Sequence, residues 1–140
     1  MALTPEARFS QRVRDGLTDC GCNVERIENR VNLGIADMLL GVKDRFVAME
    51  LKVIKRGMKV PLRPHQVSFL TRHAAKGRPC FVLIRHERNT MHQGKIFLYH
   101  GKQAMDLATE GLNLEPLASW LDYGMPWPEL VHLLSADWNQ

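Results

Sequence analysis

Two apolar runs, residues 35–42 and 45–54, are separated only by Lys43 and Asp44. No other feature constrains the chain as much, because two extended runs joined by two polar residues form the pattern of an antiparallel hairpin. Cross-strand partners in such a hairpin have residue numbers that sum to 87, which sets Asp37 directly opposite Glu50. Side chains opposed in this way have Cβ atoms about 4.5–5.5 Å apart. Strand alternation puts Lys52 on the same face as Glu50. Two acids and a lysine therefore converge, provided that no bulge near Gly41 moves the pairing by one.

Like charges held opposite each other destabilise a sheet unless something compensates them. A divalent cation does so: Mg²⁺ or Mn²⁺ takes oxygen ligands, commonly one or two carboxylates with waters and substrate phosphate. Water beside such a cation becomes a ready nucleophile, and Lys52 is placed to orient it and to offset charge building on a phosphate. The other reading makes Glu50 and Lys52 polar residues on the wet face of a half-exposed sheet, with Asp37 ending a turn after Gly34. The flanks favour the metal site. Phe46, Val47, Met49, Leu51, Val53 and Ile54 suit a strand buried on both faces, where an uncompensated acid is costly.

Thr4, Pro5 and Glu6 form a helix start, and the helix predicted over residues 5–20 carries the apolar stripe Phe9, Val13 and Leu17. Glu6 falls on that inward stripe; alternatively it is a solvated first-turn carboxylate favoured by the helix dipole. Val24 and Ile27 allow a short edge strand within residues 23–30. Residues 55–63 form a loop, and Pro64 opens a second helix with Val67, Leu70 and Ala74 on one face, closed by Gly77. Residues 80–84 and 95–99 are two further strands. In the last forty residues, glycines and prolines delimit short amphipathic helices carrying Trp120, Trp127 and Trp138. Trp120, Leu121, Trp127, Leu130, Leu133 and Leu134 there are either core or a homodimer surface. Helix, three strands, helix, then one or two strands define an α/β class with a mixed sheet.

At 140 residues the chain has the length of one domain. No apolar run is long enough to cross a membrane. The start of the chain lacks a basic segment followed by an apolar core, so secretion is not expected. Three cysteines, Cys20, Cys22 and Cys80, lack the second pair that a structural zinc site needs, and they read as reduced thiols of a cytoplasmic protein. The net charge of +4 is unevenly spread: residues 1–42 carry five Lys and Arg against six Asp and Glu, residues 43–88 twelve against three, and residues 89–140 two against six. A basic middle third between acidic ends suits a polyanion, since counterion release rewards clustered cations. It equally describes a solvated charged surface.

The segment ending Gly34-Ile35-Ala36-Asp37, the triplet Glu50-Leu51-Lys52 and the downstream Pro64-His65-Gln66 together resemble the PD-(D/E)xK nuclease superfamily. Within it, the chain is most similar to the small stand-alone VRR-Nuc-type nucleases of phages, relatives of Holliday-junction resolvases. The resemblance runs from about Glu6 to Arg88. Ala36 departs from it, because a proline usually precedes the aspartate. The resemblance implies a restriction-endonuclease-like core, α-β-β-β-α-β, with a mixed sheet flanked by helices over residues 1–100. Residues 101–140 would form a C-terminal helical extension, packed on the core or at a dimer interface. It implies that Asp37, Glu50 and the Leu51 backbone carbonyl bind Mg²⁺ or Mn²⁺, that Lys52 positions the attacking water, that Glu6 lies beside the metal, through water in some members, and that Gln66 supports the site. Arg30, Lys55, Arg56, Lys59 and Arg63 would then grip DNA. The implied function is a metal-dependent endonuclease on branched DNA, acting as a homodimer, in the host cytoplasm if the chain is a phage protein. The alternative is an inactive nuclease fold that only binds nucleic acid.

Overall fold

The computed structural model describes residues 3–27, 36–87 and 94–138. Helix α1 (Pro5–Asp19) begins where Thr4 Oγ1 accepts the Ala7 N–H at 3.1 Å, with proline in the first turn. It is followed by β1 (Asn23–Arg26), β2 (Met38–Val42) and β3 (Arg45–Ile54). The hairpin closes in the expected register, Met38 opposite Met49 and Val42 opposite Arg45, with no bulge at Gly41, which faces Phe46. Lys43 closes the turn in a left-handed conformation, φ 54°.

Helix α2 (Pro64–Ala75) then crosses to β4 (Cys80–His86), which lies parallel to β3. β5 (Lys95–His100) returns antiparallel to β4. The expected order α-β-β-β-α-β in a mixed sheet is therefore present. Because β3 is central and flanked on both sides, its alternate residues face two separate cores. Met49, Phe81 and Leu83 pack with Phe9, Val13 and Leu17 of α1, whereas Ile54, Val82 and Ile84 pack with Leu70 of α2. Glu50 and Lys52 share the α2 face by strand alternation.

The tail differs from the expected run of helices. After α3 (Ala104–Glu110) comes a sixth strand, β6 (Ala118–Leu121), and only then α4 (Trp127–Leu134). β6 pairs antiparallel with β5 and extends the sheet in the order β1-β2-β3-β4-β5-β6. The four-residue segment has no β-branched residue to announce a strand; the open edge of β5 supplies its partner. Leu130 and Leu134 are buried, and Trp120, Trp127 and Leu133 pack against the α1-side core, but Leu121 is exposed. Trp127 lies so close over Gly16 of α1 that a Cβ there would stand 2.3 Å from its ring. Asp122, just past β6, is buried and binds Arg12 of α1 and Arg85 Nε of β4, the latter at 2.7 Å. Burial disfavours ionisation of Asp122, but the hydrogen bonds from Arg85 and Arg12 outweigh it and hold its pKa below the ordinary value. No helix among the described residues is long and apolar enough to cross a membrane.

Candidate active site

Asp37 sits one residue before β2, where its backbone carbonyl accepts the Ile27 N–H at 2.9 Å. Its carboxylate reaches across the hairpin, and Oδ2 accepts the Leu51 N–H at 2.8 Å. Glu50, one residue earlier on β3, is 3% exposed, so the pair combines a solvent-facing acid with a buried one. Val82 of β4 lies beside Glu50 in the sheet, and α2 covers the face on which Glu50 projects.

Gln66, in the first turn of α2, ties the helix start to the strand. Its Nε2 donates to Glu50 Oε1 at 2.6 Å, while its Oε1 accepts Lys52 Nζ at 3.0 Å and the Arg63 N–H at 2.9 Å. The last of these bonds is half of a helix cap, in which the third helical residue reaches back to an otherwise unbonded N–H. One side chain thus sets the distance between acid and lysine, whose charged atoms lie 4.0 Å apart.

Burial pushes the Glu50 carboxyl up to about 8, and the charge of Asp37 adds to the shift; the Lys52 ammonium and a hydrogen bond from the Asp37 backbone only partly offset it. Lys52 is lowered from its ordinary value, first by burial and further by Arg63, although Glu50 and Asp37 pull the other way. Burial of Glu50 and the charge of the solvent-facing Asp37 therefore outweigh the single lysine, and a cation between the two acids would relieve the shift. The donors are hard oxygens, and no group of three or more His, Cys, Asp or Glu gathers for a metal among the described residues. Two carboxylates side by side fit Mg²⁺ or Mn²⁺, which take oxygen ligands and fill much of their shell with water.

Glu6 is exposed in the first turn of α1, the helix that packs on the other core, and among the described residues no hydrogen bond or ion pair joins it to the cluster; this matches the solvated first-turn carboxylate of the two readings. The helical stripe begins to bury only at Phe9, so the carboxylate stays solvated near the helix N-terminus, where the dipole favours it. Arg30 lies outside the described residues. Lys55, Arg56, Lys59 and Arg63 are all exposed on the loop that joins β3 to α2.

That loop is pinned by contacts the sequence does not announce. The Leu112 N–H donates to the Met58 carbonyl at 2.7 Å, and His86 Nε2 lies 2.7 Å from the Gly57 carbonyl. Val60, within the loop, is buried in the α2-side core. Gly111 has φ 62°, and a Cβ there would stand 2.1 Å from the Met58 carbonyl oxygen. The only hint in the sequence is the glycine itself.

No protein-family model matches the chain, and no curated protein matches it. Among solved structures it is similar to Hjc, a Holliday junction resolvase from the archaeal hyperthermophile Archaeoglobus fulgidus, with 20% identity and a TM-score of 0.49 over 64% of this chain and 72% of that one.

Proposed function

We propose that the protein is a divalent-metal-dependent endonuclease that hydrolyses DNA phosphodiester bonds. The observation that carries this reading is the cluster of Asp37, Glu50, Lys52 and Gln66, in which a buried carboxyl is raised to about 8 beside a second acid and an ordered lysine. Holding an acid at this depth beside a second acid costs folding stability, and groups perturbed in this way cluster at functional sites. Asp37 and Glu50, with the Leu51 carbonyl beside them, would hold Mg²⁺ or Mn²⁺, which supplies Lewis acidity toward a phosphate and a lowered pKa for water.

The chain's own residues do the rest. Gln66 holds Glu50 and Lys52 in one geometry, so neither must reorganise when substrate arrives. The Lys52 ammonium, already half-buried and oriented, gains most from the extra negative charge of the phosphorane-like transition state, which is where its contribution to rate arises. Exposed cations of the loop at 55–63 meet the backbone near the scissile bond. Preference for branched DNA, affinity with VRR-Nuc-type enzymes and action as a homodimer rest on the motif resemblance; twofold symmetry would present two sites to two strands. Glu6 enters this reading only through water beside the metal.

The test is cleavage of end-labelled four-way junction, flap, splayed and linear duplex DNA with Mg²⁺, Mn²⁺, Ca²⁺ or EDTA, alongside Glu50→Ala. Symmetric nicking of the junction that needs Mg²⁺ or Mn²⁺ and Glu50 is the expected result. Tight binding with no cut under any condition would make the protein a nucleic-acid-binding module instead.

A further inference from the structure

Between Glu50 and Glu87 the chain contains no acidic residue, while it carries nine Lys and Arg. Four of these lie on the 55–63 loop. Three more, Arg72, Lys76 and Arg78, lie at the far end of α2 and just beyond it, and all three are exposed. None of the three is in an ion pair among the described residues. His65, Arg72 and Lys76 are spaced seven and four residues apart, which puts them on one helix face, and the buried Leu70 marks the opposite one.

The positive field at this end has an internal witness. Arg78 Nη1 lies 3.2 Å from His73 Nδ1, and His73 is lowered from its ordinary pKa by burial, then by Arg78 and Arg72. Arg72 Nε donates to the Ser68 carbonyl and hydroxyl at 3.3 Å, which braces the stem of the side chain against its own helix. Its two terminal nitrogens make no hydrogen bond within the described residues. Exposed cations without an ion-pair partner among the described residues, running from the end of α2 into the turn after it, suit a polyanion with regularly spaced charges.

We infer that the outer face of α2 at Arg72 and Lys76, together with Arg78 in the turn that follows, is a second DNA-backbone contact that carries the duplex away from the cleavage site. The inference rests on the nuclease reading and deepens it. At 1.5 Å of rise per residue, Arg72 and Lys76 stand roughly 9 and 15 Å along the helix from Gln66, about three to four base pairs of duplex. Contacts at that distance touch phosphates and carry no sequence preference.

The experiment compares R72Q/K76Q/R78Q with wild type for binding of fluorescein-labelled duplex and four-way junction in EDTA, at salt from about 50 to 200 mM. A charge-matched control, R8Q/R14Q/K43Q, removes three exposed cations elsewhere, and K55Q/K59Q reports on the loop; circular dichroism melts confirm that each folds. Three lost phosphate contacts should flatten the plot of log affinity against log salt by about 2.7, since each contributes roughly 0.9. Arg72→Lys with Arg78→Lys should restore the slope. In Mg²⁺ the α2 variant should raise KM and leave kcat at saturation unchanged. If the α2 variant matches the charge control while K55Q/K59Q still flattens the slope, the second contact is refuted and the nuclease reading stands. If wild-type protein binds neither DNA in a salt-dependent way, the nuclease reading fails and this inference falls with it.

Discussion

Replacing Glu50 by Gln should remove a pH-dependent loss of stability from the metal-free protein. The Glu50 carboxyl has an ordinary value of 4.5 and is raised to about 8 in the fold, first by burial and then by Asp37. Between those values the folded state retains a proton that the unfolded state has released, so stability falls as pH rises. The contribution is complete below the ordinary value and is lost progressively as pH climbs through the folded one. Each pH unit in this window is worth about 1.4 kcal/mol, so wild type should lose roughly 2 kcal/mol relative to Glu50→Gln between about pH 6 and 7.5. Gln is a neutral isostere whose oxygen still accepts from Gln66, so the constant offset between the proteins cancels when the difference is followed against pH. Urea denaturation in EDTA supplies both stabilities. A difference that stays flat to within about 0.5 kcal/mol across that range would show that Glu50 ionises normally in the fold and is not under-compensated. Added Mg²⁺ should bind more weakly as pH falls, because the carboxyl must give up its proton first.

Lys52→Ala should lower cleavage by roughly 10²–10³-fold and leave DNA affinity nearly unchanged, because the ammonium matters most in the transition state; single-turnover rates and anisotropy separate the two. Gln66→Leu strips Glu50 and Lys52 of their common partner and the Arg63 N–H of its cap, so it should cost about 1–3 kcal/mol in urea melts and slow turnover without weakening DNA binding. Gly111→Ala places a Cβ against the Met58 carbonyl at a positive φ, a strain of about 1–3 kcal/mol. It should free the basic loop, read as faster trypsin cleavage after Lys55, Arg56 or Lys59 than in wild type. Asp122→Ala would leave Arg85 without its buried partner and should destabilise the fold by about 2 kcal/mol, less than a fully buried pair because Arg12 is partly in water.

What could be read along the chain was what adjacent residues settle between themselves. A two-residue turn and a strand period of two are local, so the pairing of residues 38–42 with 45–49 followed from the sequence, and with it the shared face of Glu50 and Lys52. Thr4, Pro5 and Pro64 are likewise short-range signals, and both helices start where those residues say. The depth of Glu50 is a different matter. Its raised pKa depends on β4 beside it and α2 over it, and its bond to Gln66, sixteen residues away, exists only because α2 packs on that face; of the three Gln66 bonds, only the cap to the Arg63 N–H is local. Glu6 shared the periodicity of a buried stripe yet lies in water, because a helix buries only the turns that reach the sheet. β6 exists because β5 had an open edge, and the basic loop keeps its shape because Gly111 lets the tail approach Met58 closely. Sequence thus determined which chemical groups share a face; the tertiary structure decided how deeply they are buried and therefore what charge they carry, since desolvation is a property of everything packed around a group.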